Sequence, residues 1–175
     1  MPQYGRKMLE RAASLQECLG CQSRKLYDVH DMKDRFENWN PPEIENNKLT
    51  EWNWTCQHVN NLLLGKNVDI GAFTYLNAKH GIFIEDYVQI GSHCAIYTVS
   101  TIDGKSGTVT LERNSRIGSH TVIMPGITVG ENSIIGAFSF VNRAVPKNVL
   151  AHGVPIKIVR PLKHDEMEAH AIEQL

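Results

Sequence analysis

Ile117-Gly-Ser-His-Thr-Val-Ile123-Met-Pro-Gly-Ile-Thr-Val129-Gly-Glu-Asn-Ser-Ile-Ile135-Gly-Ala-Phe-Ser-Phe-Val141 carries an aliphatic residue at every sixth position. The same step runs upstream through Leu64, Ile70 and Leu76, then Ile84, Ile90 and Ile96, and resumes at Leu111. Gly follows directly at positions 65, 71, 91, 118, 130 and 136. A helix repeats at 3.6 residues and a flat strand at 2.0, so neither yields this period. Very short strands joined by a turn every six residues do yield it. One aliphatic per repeat fills a narrow three-walled interior. The small residue after it lets the chain round a corner where a bulky side chain would be crowded. Three repeats make one coil of about 18 residues, and coils stack through backbone hydrogen bonds.

The register breaks twice. Leu76 to Ile84 holds two extra residues around His80-Gly81, and Ile96 to Leu111 is a step of 15. The second break contains Ser100, Thr101, Asp103, Gly104, Lys105, Ser106 and Gly107 and reads as a loop thrown out of the coil. Such loops collect on one face of a repeat protein and line its site. Residues 1–60 lack the six-residue step. Met8, Ala12, Leu15 and Leu19 form an amphipathic helical stripe that Gly20 ends. Leu26, Val29, Met32 and Phe36 suggest a second helix, ended by Pro41-Pro42. Trp39, Trp52 and Trp54 are expected to pack this segment on the open end of the coil stack. The expected division is a helical capping segment over 1–60, a mainly β repeat domain over 61–162 and a C-terminal helix or tail over 163–175.

The 175 residues carry a net charge of -1, which does not favour nucleic acid as a partner. No run approaches the roughly 20 apolar residues of a membrane span. Met1 to Arg11 has no apolar leader core, so the chain is read as cytoplasmic. Cys18 and Cys21 form a lone C-x-x-C, short of the four ligands of a structural zinc site, and reduced thiols are expected.

The run from Ile117 to Arg143, with Gly153-Val-Pro-Ile-Lys-Ile-Val, resembles the hexapeptide-repeat acyltransferases, and within them the sugar O- and N-acetyltransferases. The resemblance implies a left-handed parallel β-helix, a homotrimer with sites between subunits, and acetyl-CoA as acyl donor with no metal. It places CoA contacts at Ser119, Ala137, Asn142 and Arg143, with Lys157 and Arg160 near the nucleotide. Composition supports an anionic ligand here. From Asn132 to His164 there are five Lys or Arg and no Asp or Glu.

Acyl transfer requires a proton acceptor and a donor for the tetrahedral oxyanion. The family's O-acetyltransferases carry their catalytic His in the loop after the second coil, and Tyr97 to Gly107 contains none. A hydroxyl needs a strong positioned base, whereas a sugar amine is already partly neutral near pH 7 to 8. The expected reaction is therefore N-acetylation of an amino sugar, nucleotide-linked, for surface polysaccharide. The alternative is O-acetylation of a sugar or antibiotic. His93 and His80 are the catalytic candidates. Asn77, Asp103 and Lys105 are the acceptor candidates, and the backbone at Ile117-Gly118-Ser119 the oxyanion donor. A metal reading, with His80, His93 and His120 as ligands in a carbonic-anhydrase-like trimer, is disfavoured because spacings of 13 and 27 are not one coil of about 18.

Overall fold

The computed structural model describes residues 39–167. The two N-terminal helical stripes, the C-x-x-C and the tail beyond Met167 lie outside the described residues. The chain forms β1 (Thr55–Gln57), β2 (Leu62–Leu64), β3 (Asp69–Ile70), β4 (Tyr75–Asn77), β5 (Ile82–Ile84), β6 (Gln89–Ile90), β7 (Ala95–Tyr97), β8 (Val109–Leu111) and β9 (Arg116–Ile117). It continues with β10 (Val122–Ile123), β11 (Thr128–Val129), β12 (Ile134–Ile135), β13 (Phe140–Val141), β14 (Val149–His152), β15 (Lys157–Pro161) and a short helix α1 (His164–Met167).

Every third strand stacks on the same wall. Wall A is β1-β4-β7-β10-β13, wall B is β2-β5-β8-β11, and wall C is β3-β6-β9-β12-β14. Pairing within the walls is parallel until β15 folds back antiparallel on β14. The six-residue aliphatics face inward as the repeat requires. Leu76, Ile96, Ile123 and Val141 on wall A, Ile84, Leu111 and Val129 on wall B, and Ile70, Ile90, Ile117 and Ile135 on wall C are all at most 6% exposed. Each such side chain contributes roughly 1.5–3 kcal/mol by leaving water. Leu64 is the exception. It is half-buried because no coil lies beneath it. There Trp39, Trp52 and Trp54 line a cleft of about 400 Å³ at the open end of the stack. The Trp39 indole N–H donates to the Val68 carbonyl at 2.8 Å.

The corners follow from the fourth residue of each repeat. Asn67, Phe73, Tyr87, His93, Asn114, His120, Asn132 and Phe138 all have φ between 55° and 62°, the left-handed conformation that turns the chain. At the corner between walls B and C this builds an amide ladder. Asn114 Nδ2 donates to Asn132 Oδ1 at 2.9 Å, and Asn132 Nδ2 to Asn148 Oδ1 at 2.8 Å. Carboxylates finish the same corner: Glu85 accepts from the Arg113 backbone N–H, Glu112 from that of Glu131, and Asp86 from that of Lys66.

Both register breaks fall at the corner between walls A and B. Leu76 pairs with Ile96 and Ile96 with Ile123, so the third coil carries its extra residues here and nowhere else. This overturns one premise of the sequence reading. The 27 residues between His93 and His120 are one coil, because the chain leaves the stack between β7 and β8 and returns in register.

Candidate active site

Six of the candidate residues gather at the corner between walls A and B. Asn77 ends β4. Its Nδ2 donates to the Tyr75 hydroxyl at 3.4 Å, and its Oδ1 accepts from the Lys79 N–H at 3.3 Å. His80 follows in the turn. Its backbone N–H donates to Thr98 Oγ1 at 3.0 Å, and its carbonyl accepts from Thr108 Oγ1 at 2.8 Å. These two threonines bracket the loop and fix its root to the coil below. The imidazole of His80 is exposed and makes no hydrogen bond among the described residues.

The loop is a narrow excursion closed by a Val99–Ser106 bridge and the Ser100 N–H to Lys105 carbonyl bond of 2.8 Å. Asp103 and Lys105 form an ion pair at 2.8 Å. Hydrogen bonds from Lys105 and then Ser100 hold the Asp103 carboxyl down at about 2. It is an anion at neutral pH and too weak a base to take a proton from an alcohol. Ile102 at the loop tip is 98% exposed. Asn142 and Arg143 follow β13 at the same corner, two coils further along. The Arg143 guanidinium donates to the Ile156 carbonyl at 2.8 Å.

His93, Ser119 and Ala137 sit at the opposite edge of wall A, on the corner between walls C and A. His93 and His120 stack face to face at 4.8 Å and 3°, with Phe73 below at 5.0 Å and Phe138 above at 4.7 Å. Parallel rings cannot converge their nitrogens on one ion. Among the described residues, no carboxylate or other group is hydrogen-bonded to the His93 ring. Beside this ladder runs a strip of small residues. A Cβ on Gly118 would stand 2.4 Å from the Ala137 nitrogen, so the strip is flat by necessity. The Gly118 N–H is spent on the Ile135 carbonyl, while the Ser119 N–H has no partner among the described residues.

Lys157 and Arg160 lie on β15, beyond wall C. Lys157 is exposed. Arg160 is engaged by both oxygens of Glu166, each at 2.7 Å, which fastens α1 to the strand. The half-buried guanidinium of Arg116 also donates to the Glu166 carbonyl. Cys56 and Cys94 are core residues, and burial pushes the Cys56 thiol up to about 11, far from a nucleophile's range.

The structure thus joins Asn77, His80, Asp103, Lys105, Asn142 and Arg143 at one corner, and His93, Ser119 and Ala137 at another. It also adds two residues that sequence reasoning passed over. Tyr75 and Tyr97 project outward from β4 and β7, their rings 5.7 Å apart, beside Asn77. The signal was present: each neighbours an inward aliphatic, which fixes it outward on wall A.

The bacterial transferase hexapeptide family (six repeats) matches residues 108–143. The galactoside O-acetyltransferase of Escherichia coli K12 is 36% identical over 129 residues, covering 62% of this chain and 63% of that enzyme's length. A Staphylococcus aureus Mu50 protein, provisionally named an acetyltransferase, is 31% identical over 170 residues, covering 89% of this chain and 82% of its own. A hexapeptide-repeat acetyltransferase from Vibrio cholerae, solved with acetyl coenzyme A, aligns with a TM-score of 0.61 at 25% identity over 80% of each chain. The match is to a left-handed β-helix, as the family resemblance implied. With the family model matched over residues 108–143 and a relative 31% identical over 89% of the chain, the chain belongs to the hexapeptide-repeat family of acetyltransferases.

Proposed function

We propose that the protein is an acetyl-CoA-dependent N-acetyltransferase acting on an amino sugar, carried on a nucleotide, and that it works as a homotrimer. The observation that carries the reading is the state of the two candidate imidazoles. Among the described residues, neither His80 nor His93 has an acidic group hydrogen-bonded to its ring. A base strong enough for a sugar hydroxyl is normally oriented by such a partner. An amine does not require one. It attacks the thioester carbonyl as a neutral nucleophile, the C–N bond forms, the C–S bond breaks, and the ammonium proton passes to solvent or an adjacent imidazole.

Asn77 Nδ2 and the Ser119 N–H supply donors for the acceptor and the oxyanion. They stand at opposite edges of wall A. Two copies side by side bring such corners together. The donor's thin arm suits the flat strip at Gly118 and Ala137, and its phosphates suit Lys157 and Arg143. Acetyl-CoA bound to the Vibrio cholerae relative supports the same donor here.

O-acetylation is the second reading, favoured by the 36% identity to a galactoside O-acetyltransferase. Purified protein with acetyl-CoA should release CoA faster with a nucleotide-linked amino sugar than with its hydroxyl counterpart. Faster release with the hydroxyl compound overturns the assignment.

A further inference from the structure

β15 carries a cation at each end of its pairing with β14. Lys157 lies opposite His152, and a Cβ on Gly136 would stand 2.8 Å from the His152 Cβ, so the strand begins where the flat strip of small residues ends. Arg160 lies opposite Leu150, three residues and roughly 10 Å further on. Lys163 follows the strand. No Asp or Glu falls between Glu131 and Asp165, and then two come together on α1. One of them closes this basic track. Glu166 takes two bonds from Arg160, each at 2.7 Å, and the Lys163 N–H at 2.8 Å. A guanidinium fork receives the paired oxygens of a carboxylate or of a phosphate in the same way.

We propose that the Glu166 carboxylate is a built-in competitor of the coenzyme: it fills the Arg160 fork as a phosphate would, and a phosphate of CoA takes the fork only by displacing it. This rests on the CoA-dependent transfer proposed above, and adds to it the group that opposes binding. Three features support it. The Arg160 and Glu166 side chains are 40% and 28% exposed, so an incoming anion reaches the fork from solvent. The carboxylate is not the sole anchor of α1. The Arg116 guanidinium holds the Glu166 carbonyl, and Asn114 Nδ2 holds that of Met167 at 3.2 Å. The side chain can therefore leave the fork while the helix backbone stays seated. Arg160, then the Lys163 N–H, keeps the Glu166 carboxyl ionised at neutral pH. The exchange is thus anion for anion, and the guanidinium is never left without a partner. An ion pair that served the fold alone would be indifferent to the coenzyme.

The test uses the full chain and two probes: CoA, and pantetheine, which has the thiol arm and no phosphate. Affinities are read by ligand-observed NMR. Glu166→Gln keeps the size of the side chain and removes its charge. It should tighten CoA by about fivefold and give pantetheine no gain. In an Arg160→Ala background the same substitution should tighten neither probe, because the gain requires the freed fork. A second reading needs no variant. In the wild-type chain the Glu166 carboxyl carbon should shift in ¹³C NMR on saturation with CoA and stay in place with pantetheine. CoA affinity unchanged by Glu166→Gln, a matching gain for pantetheine, a gain that survives Arg160→Ala, or a carboxyl resonance indifferent to bound CoA each overturns the proposal. CoA bound by neither the wild type nor Glu166→Gln would instead sink the coenzyme assignment on which it rests.

Discussion

Gly118 shows how single residues hold this protein together. With the Ala137 nitrogen 2.4 Å from where its Cβ would be, any side chain must push adjacent coils away from each other. Gly118→Val should cost roughly 3 kcal/mol by overpacking, seen as a lower midpoint in denaturant with an unchanged slope. At the site the ranking of residues is the informative quantity. Asn77→Ala removes the amide assigned to the acceptor and should lower kcat/KM by roughly 100-fold. His80→Ala and His93→Ala should each cost less than about fivefold with an amine acceptor, since a true general base contributes 100-fold or more. A 100-fold fall in the His80 variant would restore the hydroxyl acceptor.

Among elements, β15 with α1 is a clasp whose strength depends on pH. Arg160, then the Lys163 N–H, holds the Glu166 carboxyl down to about 2 from its ordinary 4.5. A folded value below the unfolded one means the contribution is present at neutral pH and lost as pH falls from about 4.5 toward 2. Glu166→Gln should therefore lower Tm at pH 7, and the gap to wild type should narrow steadily below about pH 4.5. A gap of constant size would show that the carboxylate does not hold the clasp. The loop between Thr98 and Thr108 is the opposite case. It contributes no inward residue, and its bridge closes on itself. Replacing residues 99–107 by a two-residue turn should leave Tm within a few degrees and abolish acetyl transfer. The walls were legible because an inward aliphatic every six residues is a local rule that each repeat obeys separately. The loop was legible as a break in that rule. What the site contains was less so. Wall assignment depends on counting coils, and the nine-residue excursion disguised His93 and His120 as strangers when they are stacked neighbours. Tyr75 and Tyr97 were overlooked for a related reason: outward positions carry no periodic signature, and only coil pairing shows that they meet.

At the scale of the molecule, the outward positions of wall A are Thr55, Gln57, Tyr75, Asn77, Ala95, Tyr97, Val122 and Phe140, all half-buried and none charged. Flanking them is the ridge of Phe73 and Phe138, 61% and 67% exposed. An uncharged face with this aromatic flank is suited to burial against other copies, and it separates the two corners that hold the candidate residues. The most direct test mixes two inactive chains. Asn77→Ala damages one corner, and Ser119→Trp blocks the other. If each site is shared by neighbouring subunits, unfolding and refolding the two together should return about a quarter of wild-type acetyl transfer, from sites that receive an intact corner from each chain. Mixtures as inactive as their parents, with the trimer confirmed by its mass in solution, would contradict a site built between copies.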